Sequence, residues 1–551
     1  MLVQPMTDYR SLIASYSRPA SPEAFNYCDV IATYAQDPSR EAMVWANDRG
    51  EERRFTFAEV DAESRRIAGV LRTRGVGRGD RVLVMLPRVP EWQFTMLAVF
   101  RLGAIAIPSI TMLQPKDLEY RLELATPKAV VTSGREVSKF DGLLVRDEAR
   151  LFVPDGSGDP VGWEDLAKAV ASARGDVPAE PMRADEGSMI YFTSGSTGMP
   201  KGVEHSAYFA RSFYEVAAYW LDLNEQSKDD TVWCTADTGW SLCATGVLIG
   251  PWLAGIRVFF YDGPFDAAKR LQLMEKYGIT VYLSAATEYR QLVAQKIEDY
   301  DLSRLRLSAT AGESLDAPTL RGWMERAGCR LHEAYGQTES LMTIANYLGT
   351  EIRPGSMGLP LPGSPINVIS QETHEVAPPG EIGMVAIKMP TKDLMLGYWK
   401  DPTKTSECFV ENAKEERWFV TGDLASKDED GYFWYAGRND DVINAAGYRI
   451  GPTEVEAVVM DHRAVRECAC IASPDKERGH IVKAFIVLND DFTGSASLME
   501  EIKNFVKSRT AAYKYPRKVE FVDTLPMTPS GKIRRNVLRE LEAKRYLESA
   551  K

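Results

Sequence analysis

The chain has 551 residues, of which 44% are hydrophobic and 26% charged, with a net charge of −12 and only 5 His. That balance is ordinary for folded protein, and its acidic sign excludes a general nucleic-acid binder, so small anionic ligands must be met by local clusters of cations. The length exceeds what one core supports and predicts two to four structural units.

In chain order, residues 1–50 are polar and aromatic without a strong period and are expected to wrap the first domain. Residues 1–20 lack a continuous apolar core, so no signal peptide is expected. Thr56–Arg74 predicts a helix, because Thr56 and Glu59 form a T-x-x-E capping box and Val60, Ile67, Ala68 and Leu71 share one face. The glycines of GVGRGD (75–80) precede their strand and lack the third spacing of a dinucleotide site, which makes the segment a turn. Helices at Glu91–Leu102 and Pro115–Leu124 then alternate with strands at AIAIP and KAVVT, and DGSGDP (155–160) marks a surface loop. The alternation resumes in IRVFF, ITVYLS and LRLSA, and predicts a layered α/β domain with parallel sheet.

The most apolar window, Leu242–Phe260, contains Gly246, Gly250, Pro251, Gly255 and Arg257. A membrane span needs about 20 unbroken residues. The window is read instead as a buried helix broken at Gly250-Pro251, followed by a strand. From about Gly355, short apolar runs between Gly/Pro turns predict a small mostly-β unit. Residues from Asp441 onward predict a separate α+β module of about 110 residues. It holds a helix over Pro452–Asp461, strands at ECACIA and VKAFIVL, a helix over Ser497–Arg509, and a basic loop, PMTPSGKIRR, before a last helix. The 7 Cys include no C-x-x-C pair, which argues against structural zinc. Cys468 and Cys470 alternate and are expected as buried thiols on one strand face, in a reducing, cytoplasmic compartment.

The stretch Tyr191–Gly202, YFTSGSTGMPKG, combines backbone freed by glycine with the hydroxyls of Thr193, Ser194, Ser196 and Thr197. Together with Gly195 and Gly198 these form a nest suited to phosphate oxygens, and Lys201 adds a point charge. Pro200 before the lysine and Gly202 after it exclude the Walker pattern. A solvated glycine-rich linker is the plainer alternative.

Four further clusters carry candidate chemistry. AGESLD (311–316) offers Gly312 for close backbone approach and the carboxylate of Glu313. HEAYGQTES (332–340) places Tyr335 beside Gly336, Gln337, Thr338 and Glu339. WFVTGDL (418–424) puts Asp423 in a tight turn, where a carboxylate can accept from two ribose hydroxyls. GRNDDVINAAGYRIGPTEVE (437–456) carries Arg438, two aspartates, Gly447 and Arg449. Singly, each has a plain reading: an Asx-turn for Asp423, a solvated face for Glu339 and Lys532, surface pairs for the arginines, core for Tyr335.

In this order, YFTSGSTGMPKG, AYGQTE, WFVTGD, GRNDDVINAAGYRIGPTEVE and PSGKIRR closely resemble the signature motifs of the acyl-adenylate-forming superfamily over essentially the whole chain. The resemblance implies an α/β fold with a large multi-layer N-terminal domain (1–437), made of two α/β sheet subdomains plus a small β unit. A hinge (438–442) and a small, mobile α+β C-terminal domain (443–551) complete it. It implies ATP-dependent activation of a carboxylic acid to acyl-AMP and pyrophosphate, then acyl transfer to a thiol. Joining two anions makes such catalysis largely charge neutralisation and positioning.

Matched positions assign 193–201 to the β/γ-phosphates, Glu339 to Mg²⁺, and Tyr335 to stacking on adenine with Glu333 and Gly312 at its edge. The ribose falls to Asp423 and Arg438, the phosphates to Arg449, and the bridge between substrate carboxylate and α-phosphate to Lys532. Rotation about Asp440 would withdraw Lys532 and bring the Gly447 region beside a pantetheine tunnel.

TADTGW (235–240) and the hydrophobic stretch after it resemble the medium-chain acyl-CoA synthetase branch. Acetate-specific relatives carry a second aromatic where this chain has Gly336, so the acyl pocket, with Trp240 and Ala311 as further walls, is expected to admit several methylenes at about 0.8 kcal/mol each. CoA is the expected acceptor, since no carrier domain is expected after Lys551. A carrier-protein thiol and a catalytically silent nucleotide-binding regulator are the alternatives. Acetylation of Lys532 by a lysine acetyltransferase would remove its charge and silence adenylation.

Overall fold

The computed structural model describes residues 9–16, 23–143, 148–173, 177–193, 199–224, 227–439, 441, 443–445, 448–475, 479–510, 514–528 and 532–549. The chain groups into two compact units, one of Met1–Ile352, Pro360–Ser364 and Pro390–Glu407, the other of Arg353–Leu359, Pro365–Met389 and Cys408–Lys551. Among the described residues no helix is long and apolar enough to cross a membrane.

The first unit is built on two mostly parallel sheets. In one, the strands Lys201–Ser206, Gly187–Thr193, Ile105–Pro108, Arg81–Met85, Ala129–Ser133 and Ala149–Val153 lie in that spatial order. Its central strands are buried along nearly their whole length, which explains why AIAIP and KAVVT read as unbroken apolar runs. The other runs Met342–Ala345, Arg330–Gly336, Leu307–Ala311, Val281–Ser284, Thr231–Cys234, Arg257–Asp262, Glu41–Asn47, Glu52–Thr56, with antiparallel pairs only at its two ends. The alternating helices fall where periodicity places them: Phe57–Thr73, Pro90–Arg101 and Pro115–Ala125. The capping box at Thr56 and Glu59 is formed in both directions.

One expectation is corrected. The helix after Trp240 is not broken at Gly250-Pro251. A π turn at Thr245–Ile249 joins helical segments Ser241–Ala244 and Gly250–Leu253. Pro251 has no N–H to offer Val247, four residues back, and the wider turn removes the clash its ring would cause. The Val247 carbonyl accepts instead from Gln93 Nε2 at 2.6 Å, and the Leu248 carbonyl accepts from the Tyr27 hydroxyl. Two distant side chains thus keep the helix intact.

In the second unit, Ile366–Ile369, Gly383–Lys388, Arg417–Lys427 and Phe409–Glu411 form an antiparallel sheet, joined by Phe433–Arg438 on Arg417–Lys427. C-terminal to it, Val465–Asp475, Gly479–Leu488 and Lys518–Phe521 form a three-stranded sheet. Alternation along these strands sends Cys468, Cys470, Val482 and Ile486 to one core with helices Pro452–Met460 and Ala496–Lys507. It sends Ala469, Ile471, Phe485 and Val487 to another with Leu538 of helix Arg535–Ser549. Cys468 and Cys470 are buried free thiols, as their spacing predicts, with Sγ atoms 3.9 Å apart.

Candidate active site

In the first unit the phosphate-loop motif is flanked by the paired strands Gly187–Thr193 and Lys201–Ser206. Thr193 pairs with Lys201, so both ends of the loop are fixed by one antiparallel ladder. Ser194, Gly195, Ser196, Thr197 and Gly198 lie outside the described residues. The Lys201 ammonium sits 4.6 Å from the centre of the Tyr398 ring. The Tyr398 hydroxyl donates to Glu339 Oε1 at 2.8 Å. The hairpin lysine and the QTE carboxylate therefore meet at one phenol, although 138 positions separate them in a chain of 551 residues.

His205, on the return strand, is fully buried, donates through Nε2 to the Thr338 carbonyl (2.7 Å), and stacks on Phe209 at 3.6 Å. Burial pushes its pKa down to about 3, so the ring is neutral and Nε2 carries the proton to the carbonyl.

The adenine candidates lie on neighbouring parallel strands, with Thr310 opposite Glu333 and Ala311 opposite Ala334. Gly312 has φ +93°, and a Cβ placed on it would meet nothing within 4 Å, so its backbone faces open space. Glu313 is already engaged: its Oε1 accepts from the Thr287 N–H at 2.8 Å and hydroxyl at 2.9 Å, with Arg290 3.6 Å from Oε2. Glu333 is pushed up to about 8 by burial and stays protonated at neutral pH. Tyr335 is half-buried opposite Ile344.

Trp240 is half-buried at the N-cap of helix Ser241–Ala244, not part of the core, and Ala311 is buried at the end of its strand. Gly336 differs from expectation. A Cβ there would lie 2.4 Å from the Leu341 carbonyl oxygen and 2.8 Å from the Met342 Cα, so backbone and not open space faces it. A larger residue at 336 needs a different local backbone, and the glycine by itself does not measure the acyl pocket.

In the second unit, Asp423 lies not in a tight turn but inside the long strand Arg417–Lys427, opposite Arg438. Gly422, at φ +76°, bends the strand there. Asp423 is 5% exposed; its Oδ1 accepts from the Tyr435 hydroxyl at 3.1 Å and from Arg438 Nη1 at 3.4 Å. Arg449 lies on the strand Tyr448–Ile450, and its side chain, Asp440 and Gly447 fall outside what is described.

Lys532 is exposed, and its backbone is tied to Thr528, which donates its N–H to the Lys532 carbonyl (2.7 Å) and accepts the Lys532 N–H at Oγ1 (3.0 Å). Three residues on, Arg535 is locked to Glu456 at 2.6 Å, and Arg539 pairs with Asp441. Tyr398, His205, Tyr435 and Arg535 were not singled out by sequence, because each is defined by a partner on a remote segment.

Glu339 accepts from a phenol and forms no ion pair with Lys or Arg among the described residues, which leaves its charge available to a cation. Among those residues no three His, Cys, Asp or Glu converge. A single carboxylate together with phosphate oxygens is a donor set that Mg²⁺ favours, and Glu339 fits that part.

Residues 31–399 match the AMP-binding enzyme family, and residues 454–532 match the AMP-binding enzyme C-terminal domain. The mitochondrial acyl-coenzyme A synthetase ACSM3 of Mus musculus is 37% identical over 539 residues, covering 95% of this chain and 91% of its own. A protein of Bacillus subtilis named uncharacterized acyl-CoA ligase YtcI is 36% identical over 524 residues, covering 95% and 97%. The crystal structure of the anthranilate CoA ligase AuaEII in complex with anthranoyl-AMP superimposes with a TM-score of 0.85 at 29% identity, over 95% of this chain and 98% of that one. The first family match spans more than half of the chain and these relatives nearly all of it. The chain thus belongs to the AMP-binding enzyme family, as an acyl-CoA synthetase of the AMP-forming, acid–thiol ligase type.

Proposed function

We propose that this synthetase activates a medium-chain, branched or aryl carboxylic acid with Mg²⁺ and ATP, and passes the acyl group from acyl-AMP to CoA. The observation that carries the residue roles is the meeting of Lys201 and Glu339 at Tyr398, a cation for phosphate and a carboxylate for metal held apart beside the hairpin loop. Bound Mg²⁺ would neutralise phosphate charge. Thr193 and the loop to Lys201 hold the β/γ-phosphates, with Thr338 at their side. Tyr335 supplies an adenine face, and Gly312 and Glu333 its edge, with Glu313 next to Gly312 in the nucleotide site. Asp423, with Arg438, takes the ribose hydroxyls, and its hydrogen bond from Tyr435 supports this by fixing the carboxylate.

The substrate carboxylate attacks the α-phosphorus and pyrophosphate leaves; Lys532 bridges the two anions as they join, with Arg449 near the phosphates. Residues 438–442 are the proposed hinge, with Asp440 as pivot, between the domains 1–437 and 443–551. Rotation there removes Lys532 and brings Gly447 to the CoA thiol path for the second step. The acid class rests on the half-buried Trp240 and the resemblance of TADTGW to the medium-chain branch, beside relatives that include an acyl-coenzyme A synthetase and an anthranilate CoA ligase.

The test is pyrophosphate exchange and acyl-CoA formation across acids from acetate to C8, with branched and aryl members. Exchange and thioester with C4–C8 or aryl acids, and little with acetate, is the expected outcome. Silence across the panel would sink the reading in favour of a nucleotide-binding regulator.

A further inference from the structure

The segment Leu394–Trp399 is threaded between the two anion-handling parts of the first unit. Met395 N–H donates to the Glu339 carbonyl (2.8 Å), Leu396 N–H to the Glu204 carbonyl (2.8 Å), and Trp399 N–H to the Gly202 carbonyl (2.7 Å). Gly397 and Tyr398 pair antiparallel with Glu204 and Val203, on the strand that leaves the phosphate loop. Tyr398 N–H is in turn held by Thr405 Oγ1 at 2.9 Å. The backbone that carries Tyr398 is thus fixed to both motifs, and its side chain is buried, 8% exposed.

Lys201 and Glu339 are opposite charges that reach the same ring, the lysine over its face and the carboxylate at its hydroxyl. Left to themselves, such a pair would collapse into an ion pair and neutralise both the phosphate clamp and the metal ligand. The phenol prevents this by giving each charge a separate partner. The quadrupole of the ring face holds the ammonium. The hydroxyl occupies Oε1 and so restrains the carboxylate, as outer partners of metal ligands do.

Resting on the reading that Glu339 receives Mg²⁺ and Lys201 a phosphate, we propose that Tyr398 is a positioning residue that keeps these two charges apart and each oriented toward its own ligand. It touches neither reacting atom and acts through the two residues it holds.

The experiment measures ATP affinity by calorimetry on the full chain, in EDTA and along a Mg²⁺ titration, so that no turnover enters the readout. Tyr398→Phe keeps every carbon and the ring under Lys201 but frees Glu339. It is expected to raise the Mg²⁺ concentration for half-maximal tightening by about tenfold, while metal-free ATP affinity stays within about twofold of native. Tyr398→Leu, which also removes the ring, is expected to weaken metal-free ATP binding by a further factor of about three. Should Tyr398→Phe leave the Mg²⁺ response unmoved, or weaken metal-free and Mg²⁺-dependent binding alike, the proposal is overturned, and this isosteric variant decides it alone. Glu339→Gln separates the two levels. If it abolishes the Mg²⁺ response while Tyr398→Phe does nothing, only the role of Tyr398 fails; if Glu339→Gln also leaves the response intact, the metal assignment itself fails.

Discussion

Burial raises the Glu333 carboxyl from its ordinary 4.5 to about 8; Asp316 and Glu313 add to the shift, and Arg290 opposes it. The folded chain therefore keeps a proton that the unfolded chain releases between about pH 4.5 and 8. Stability contributed by this group is full below the lower value and is lost progressively as pH rises to the upper one. Glu333→Gln, which is neutral throughout, is expected to melt a few degrees above the native protein at pH 8.5, with the gap closing toward pH 5. Parallel melting curves across that range would refute the assignment. The place of Glu333 in HEAYGQTES was legible in sequence, but its protonation was not, because the shift comes from the strands and helices that dehydrate it. Gly336 shows the same limit: a missing side chain reads as space, yet the space is filled by the backbone of Leu341 and Met342.

Elements defined by local pattern were readable, and those completed by remote partners were not. The helix over Phe57–Thr73 follows from a capping box and one apolar face, all within its own residues. The π turn at Thr245–Ile249 depends on Gln93 and Tyr27, more than a hundred positions upstream, so sequence showed only the proline that makes it necessary. Gln93→Leu would strand the buried Val247 carbonyl and is expected to cost about 1–3 kcal/mol of stability in denaturant melts. In a Pro251→Ala background the restored N–H can serve Val247, and the loss should shrink by at least half; an equal loss in both backgrounds would show that the two groups are not coupled. Tyr398 belongs to the same class. Nothing in LMLGYWKDP spells out its reach to Lys201 and Glu339, which strand pairing alone creates.

Across the whole chain, the motif order identifies the family, and both compact units carry part of the proposed chemistry. The phosphate hairpin, Glu339 and Trp240 belong to one, and Asp423, Arg438 and Lys532 to the other. Thr193 and Lys201, tied to each other by strand pairing, suit a fixed grip on phosphate. A lysine on an exposed loop, anchored three residues away through Arg535 and Glu456, suits a group that is delivered and withdrawn. In the proposed function one chain runs two half-reactions, and Lys532 serves only the first. The direct measurement compares Lys532→Ala with native protein in both steps, using the best acid of the panel. Pyrophosphate exchange is predicted to fall by roughly two orders of magnitude, while thioester formation from supplied acyl-AMP and CoA stays within about threefold of native. Equal loss in both steps would show that Lys532 does not serve adenylation alone.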